Sequence, residues 1–188
     1  MKTLAYTLAA LAFAGSAHAG EGFDAFKSLC AATHADQKAA LAAADAAGWA
    51  RLDPAQVPIP ANPTFKLDRY EARTQPVAGG FKLLIVGTGT ATMRQGGASV
   101  PAVTCIVVAR PAEVEGGEQF RALIGMAPVY TQASNKMALY AYAEGDKGPA
   151  PIGGAQGAQS LFALGKLRMA ISAENNGTTS YTVVNLNP

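Results

Sequence analysis

Six runs with strand character follow residue 63, and they constrain the fold of this chain more than any other feature. The runs cover residues 64–73, 81–93, 100–110, 137–143, 161–172 and 178–186. The second and third are apolar at both alternating positions, which is typical of central strands covered on both faces, or on one face and by a loop. The lengths of these runs and of the loops between them predict a mainly antiparallel sheet.

The last two runs are joined by Asn176-Gly177, a dipeptide that readily adopts the positive φ angles of a tight hairpin turn. We therefore predict an antiparallel hairpin over residues 161–186 that turns at this pair. Gly177 is the residue of the turn that should tolerate substitution least, because a β-branched residue resists positive φ.

Two helices are predicted before the strands. Phe23, Phe26 and Cys30 are spaced three and four residues apart, so they share one apolar helix face. A second helix begins near Asp36, which can cap its N-terminus, and continues through an alanine-rich stretch until Gly48 ends it.

A third helix is predicted over residues 118–127, where apolar residues recur with helical spacing. Four prolines make residues 54–63 an extended connector, because proline lacks the backbone N–H that helices and sheets need. The helical part before it, residues 20–53, is too small to be a domain and belongs with the sheet part, residues 64–188. We expect one α+β domain whose mainly antiparallel sheet carries two N-terminal helices and one further helix on one face.

The N-terminal segment has the three parts of a secretory signal, which are the basic Lys2, a short apolar run and the Ala17-His18-Ala19 cleavage site. Cleavage after Ala19 removes residues 1–19 and leaves a mature chain that begins at Gly20. This predicts a periplasmic or secreted protein. The alternative is a retained anchor helix, which is disfavoured because the apolar run is too short to span a bilayer.

The mature chain is nearly neutral. Once Lys2 is removed, 14 of the 15 basic residues remain beside 13 acidic ones. Nucleic-acid binding and attraction to an anionic membrane surface both need clustered positive charge. We therefore expect no nucleic-acid partner and no membrane insertion after signal cleavage, and the partner stays open between an envelope protein and a small ligand.

The chain contains two cysteines, Cys30 and Cys105. In an oxidising compartment, a disulfide between them is the plainest expectation. It can form only if the two Cα atoms lie within roughly 7 Å of each other. Two separate free thiols are the alternative.

Signatures of catalysis and cofactor binding are sparse. His34 is the one histidine left after cleavage, and its spacing from Cys30 would suit a Cys–His nucleophile on one helix. The alternative is a disulfide-bonded Cys30 beside an exposed His34. Gly87-Thr88-Gly89 follows a strand but lacks the third glycine and the helix of a dinucleotide fingerprint. We therefore assign no catalytic, cofactor-binding or metal-binding residues.

Tyr140 and Tyr142 alternate with aliphatic residues, so both phenols lie on one face of a predicted strand. If exposed, they are a candidate surface contact for a sugar or a protein partner. The alternative is that they cover the edge of the core or pair across strands.

The spacing of Phe23, Phe26 and Cys30, followed by an alanine-rich helix that ends at Gly48-Trp49, resembles that of small exported proteobacterial proteins of unknown function. The resemblance covers the first third of the mature chain. It implies export and a similar fold, and it carries over neither an activity nor site residues.

Three hypotheses for the function follow. The preferred one is a non-enzymatic periplasmic binding or interaction module that uses an exposed face or groove of the sheet. The second is an enzyme whose site is assembled from carboxylates that are dispersed in the sequence, such as Asp68, Glu71, Glu113 and Glu115, with tyrosine or lysine partners. The third is a structural envelope protein without a small-molecule ligand.

Overall fold

The computed structural model describes residues 20–57, 65–92, 99–145 and 148–188. The predicted signal segment and most of the proline-rich connector lie outside these ranges. The described start of the connector is a short 3-10 turn, Pro54–Gln56. Its first backbone N–H groups are capped by Asp53, whose carboxylate accepts a hydrogen bond from the N–H of Ala55 at 3.0 Å.

Two helical segments precede the sheet, as predicted. Glu21–Phe26 is α-helical (α1) and continues directly into the π-helical turn Lys27–Ala31. The second helix, Gln37–Ala46 (α2), is capped by Asp36, whose side chain accepts a hydrogen bond from the N–H of Ala39 at 2.7 Å.

Nine strands form one sheet within the described residues. They are β1 Ala50–Leu52, β2 Phe65–Val77, β3 Gly80–Thr92, β4 Ser99–Arg110, β5 Tyr130–Gln132, β6 Met137–Gly145, β7 Gly148–Ala150, β8 Leu167–Asn175 and β9 Thr178–Leu186. Their order is β1-β2-β3-β4-β9-β8-β6-β5, with β7 paired to β6, and every pairing is antiparallel. The predicted α+β class with a mainly antiparallel sheet is confirmed.

The C-terminal hairpin turns at the predicted dipeptide. Strands β8 and β9 are antiparallel neighbours, and the last residue of β8 pairs with the first of β9. Asn176 and Gly177 between them have φ angles of 49° and 73°. Both angles lie in the left-handed region that this type of turn requires.

Two helices, rather than one, follow the central strands. Gly116–Ile124 (α3) is the predicted third helix and ends at Gly125, whose φ is 71°. Gly154–Ala163 (α4) includes residues that were predicted to begin a strand at 161, so that prediction is wrong. Two adjacent apolar residues such as Leu161 and Phe162 are compatible with either a helix or a strand. Only their packing against the ends of β8 and β9 favours the helix.

The two faces of the sheet are covered differently. One face, called the helix-covered face below, packs against α1, the π-helical turn, α2 and α3. Its core contains an aromatic group with ring centroids 5.2–5.8 Å apart, formed by Phe23, Phe26, Phe120, Tyr140 and Tyr181. Helix α4 instead packs on the opposite face, against Val184 and Leu186. The two N-terminal helices and the predicted third helix therefore share one face, as expected, whereas α4, which was not predicted, lies on the other, because Val184 and Leu186 alternate with the core residue Val183.

Candidate functional site

The predicted disulfide is present. Cys30 on the π-helical turn is bonded to Cys105 on β4, with the two Cα atoms 5.5 Å apart. Both residues are fully buried. The bond fastens the N-terminal helical segment to a central strand, and it removes the thiolate that a Cys–His nucleophile would need.

His34 lies at the edge of the helix-covered face, and its side chain is 71% exposed. Its Nδ1 contacts the Glu144 carboxylate, which also accepts hydrogen bonds from the Arg168 guanidinium at 2.8 and 3.0 Å. The backbone is held as well, because Asn185 donates a hydrogen bond to the His34 carbonyl at 2.8 Å. His34 and Ala35 both have positive φ, at 54° and 58°. These contacts hold a strained turn between two helices against the sheet.

Sequence reasoning placed His34 at the surface but missed its partners. Glu144 and Arg168 are distant from it in the chain, and the spacing of residues carries no signal for their approach. A carboxylate that orients an imidazole is also part of hydrolytic triads. In the described part of the chain, no hydroxyl or thiol forms a hydrogen bond with this imidazole, so the arrangement lacks a nucleophile.

Glu113 forms a buried polar group with the start of α1. Its carboxylate accepts hydrogen bonds from the N–H groups of Gly22 and Phe23 at 2.5 and 3.1 Å, and from the Tyr181 hydroxyl at 2.6 Å. Burial raises the pKa of Tyr181 far above its usual range, and the adjacent carboxylate raises it further. The phenol therefore stays protonated and donates to Glu113. This carboxylate is fully engaged in holding α1 on the sheet.

The structure does not bring the four carboxylates of the enzyme hypothesis together. Asp68 and Glu71 lie on β2, where they pair with Lys66 and Arg73 of the same strand at 3.6 and 3.4 Å. The other two, Glu113 and Glu115, lie in the loop between β4 and α3. Strands β3 and β4 separate β2 from that loop, so the four groups form no common site.

Arg73 is the most deeply buried charged residue in the described part of the chain, at 3% exposure. Its guanidinium donates to the Asp45 carboxylate on α2 at 2.7 and 3.4 Å. The hydrogen bond from Arg73 holds the pKa of Asp45 below its usual value. This pair joins α2 to β2, which is a structural role.

Tyr140 and Tyr142 are buried, at 1% and 9% exposure, so they do not provide the candidate surface contact. They lie on the helix-covered face, and Tyr140 belongs to its aromatic group. Burial raises the pKa of Tyr142 to about 12, although the nearby Arg168 acts to lower it. Packing into the core, which was the alternative for these phenols, is the observed arrangement. The strand pattern showed that they share a face but not that helices cover it.

The other face of the sheet carries almost no charge. Strand side chains alternate between the two faces, so the register assigns each residue to one of them. The strand residues that carry charge lie on the helix-covered face, apart from Asp68 at a bulge and Arg110 at the end of β4. Those on the helix-covered face are Arg51, Lys66, Arg69, Glu71, Arg73, Lys82, Glu144, Arg168 and Glu174.

The middle of the uncharged side is only half-buried. We call it the open face, and it consists of Leu83, Ile106, Val108, Leu139, Met169, Ile171 and Thr182. Within it, Ile106, Thr182, Ile171 and Leu139 are direct neighbours across four strands. Helix α4 covers the sheet at one end, and Val57 with Leu52 covers it beside β2 and β3. The sequence predicted strands with two apolar sides, but only the tertiary structure shows which side the helices leave uncovered.

No family model, curated protein or solved structure matches the chain. Among the described residues, no helix has the length and apolar character needed to cross a membrane. The same ranges contain no group of three or more histidine, cysteine or acidic side chains arranged to hold a metal ion.

Proposed function

We propose that the protein is exported and acts as a non-enzymatic binding module, whose working surface is the open face and whose partner is an envelope protein with an apolar surface. Export rests on the signal-like N-terminus, and the disulfide is compatible with an oxidising compartment. The observation that carries the binding role is a half-buried sheet face that carries almost no charge, whereas nearly all the charged strand residues lie on the helix-covered face.

The size of the open face supports this role. From β3 to β6 the sheet spans four strand spacings, or about 19 Å, and the three rows of side chains extend about 14 Å along the strands. The resulting area of roughly 270 Å² is close to the lower end of the range for the largest apolar patches of soluble monomers, and such patches are often functional. A partner that covers it displaces water from apolar side chains without stripping water from a charge.

The rim of the open face adds two more exposed apolar residues. Tyr130 on β5 pairs with Leu139 of the open face and is 49% exposed, and Val129 beside it is 59% exposed. Tyrosine is enriched in protein interfaces, because its ring packs against apolar surface while its hydroxyl reaches a polar group. The rim therefore offers an aromatic anchor that continues the open face to the edge of the sheet.

The test uses a photoreactive amino acid in place of Ile171 on the open face, with Thr88 as the matched position. Thr88 is also a strand residue, but it is exposed on the helix-covered face. We expect light to crosslink position 171, and not position 88, to one recurrent envelope protein that mass spectrometry identifies.

A charge placed on each face then tests the contact itself. Ile106→Lys should weaken binding of the identified protein at least tenfold, because the ammonium would be buried against an apolar surface. Thr88→Lys should bind within twofold of the unmodified protein, and thermal melts of both variants establish that they are folded. Equal crosslinking from both positions, or unchanged binding by folded Ile106→Lys, would contradict the proposal.

A further inference from the structure

A cleft of about 340 Å³ opens at the end of the sheet where α1 begins, and it shares no residue with the open face. We call it the Lys82 cleft. Three elements form it, which are the start of α1, the turn between β2 and β3, and the loop from β4 to α3. Its volume is at the lower end of the range for small-molecule sites, so it suits a small ligand.

Lys82 lies in this cleft with unfilled hydrogen-bonding capacity. Its side chain is only 14% exposed, and its nearest carboxylate oxygen, on Glu21, is 3.7 Å from Nζ. The Trp49 ring centroid is 5.8 Å from the same nitrogen. An ammonium has three N–H donors, and within the described residues none of them has an acceptor at hydrogen-bonding distance. A largely buried ammonium in this state is ready to bind an anionic oxygen.

Three carboxylates, those of Glu21, Glu113 and Glu115, and the Arg110 guanidinium also line the cleft. Glu113 is already saturated, because it accepts hydrogen bonds from two backbone N–H groups and from Tyr181. Arg110 is exposed at the same end of the sheet and forms no ion pair with the described residues. The register directs Arg110 to the opposite face of the sheet from Lys82, so Lys82 alone carries the contact with the ligand.

The walls of the cleft indicate the chemical character of the part of the ligand that does not contact Lys82. Five of the twelve lining residues have small apolar side chains, namely Val77, Ala78, Ala109, Pro111 and Ala112. Val114 at the cleft is 92% exposed, which is unusual for a branched aliphatic residue. An aliphatic or aromatic body in the cleft would cover these surfaces.

We propose that the Lys82 cleft binds a small monocarboxylate with an apolar body, with Lys82 Nζ donating to the carboxylate. The carboxylate supplies the acceptor that the ammonium lacks, and the apolar body fills the cleft. This site is independent of the open face, so either proposal can fail without the other.

Trp49 provides the readout, because it is the single tryptophan in the chain and lies beside Lys82. The purified protein is titrated with hexanoate, and with hexanol and hexylamine as neutral and cationic probes of the same chain length. Fluorescence and calorimetry should both show saturable binding of hexanoate, at least tenfold tighter than either control. Equal binding of hexanol, tighter binding of hexylamine, or no saturable hexanoate binding by calorimetry would overturn the proposal.

Variants then assign the contact to Lys82. Lys82→Met removes the ammonium, keeps most of the length of the side chain and should lose the preference for hexanoate over hexanol, whereas Lys82→Arg should retain it. Lys38→Met, at an exposed position on α2, is the matched control and should bind as the unmodified protein does. Binding by folded Lys82→Met within twofold of the unmodified protein would refute the assignment. If Lys82→Met does not fold, the Lys82→Arg variant and the comparison of the three probes still decide the outcome.

Discussion

Removal of the Cys30–Cys105 disulfide should lower the free energy of unfolding of the protein. The bond joins the N-terminal helical segment to β4, which lies near the centre of the sheet. Without it, that segment is held by apolar packing, by the Glu113 contacts at the start of α1 and by the Arg73–Asp45 pair. These contacts survive in the folded variant, so the main change is in the unfolded chain.

The magnitude follows from the sequence separation of 75 residues between the two cysteines. For a closed loop of this length, the chain-entropy model gives about 4.5 kcal/mol of stabilisation at room temperature. With a urea dependence of roughly 2 kcal/mol per molar, the urea midpoint should fall by about 2 M when the bond is removed.

The assay compares urea unfolding of the protein with that of the double variant Cys30→Ala/Cys105→Ala. Reductant should lower the midpoint of the unmodified protein towards that of the double variant, and it should leave the double variant unchanged. If the two proteins unfold within about 0.5 M of each other in the absence of reductant, the entropy argument is refuted.

Three further predictions concern the turn, the partly buried Arg73–Asp45 ion pair and the N-terminus. Gly177→Val should lower the free energy of unfolding by about 1 kcal/mol or more in urea melts, because valine resists the φ of 73° found there; an unchanged midpoint would contradict this. The lowered pKa of Asp45 means that its pair with Arg73 stabilises the fold above about pH 4 and that this contribution is lost as the pH falls through the folded-state value. Asp45→Asn should therefore reduce the steepness of acid unfolding, whereas Glu118→Gln at an exposed position should not, and identical acid profiles for both would contradict the assignment. The intact mass of this protein, when it is recovered from the cell envelope, should correspond to a chain beginning at Gly20, and recovery of the uncleaved chain in membranes would contradict cleavage.

Local signals in the sequence determined much of the secondary structure. The Asp36 cap and the Asn176-Gly177 turn were predicted because each depends on the conformation of a few adjacent residues. The disulfide was also predictable, since the chain has two cysteines and a signal-like N-terminus. Helix α4 was missed because Leu161 and Phe162 have no periodicity of their own, and their packing partners lie in β8 and β9.

The candidate surfaces depended on the tertiary structure. Alternation along β4 separates Cys105 and Val107 from Ile106 and Val108, but the pattern does not indicate which pair the helices cover. That choice is made by the disulfide and by the packing of α1 on the sheet, both of which join residues far apart in the chain. Contacts between residues far apart in the chain cannot be predicted from the spacing of neighbouring residues. The sequence therefore determined the strands, whereas the tertiary structure determined which face of the sheet the helices leave uncovered.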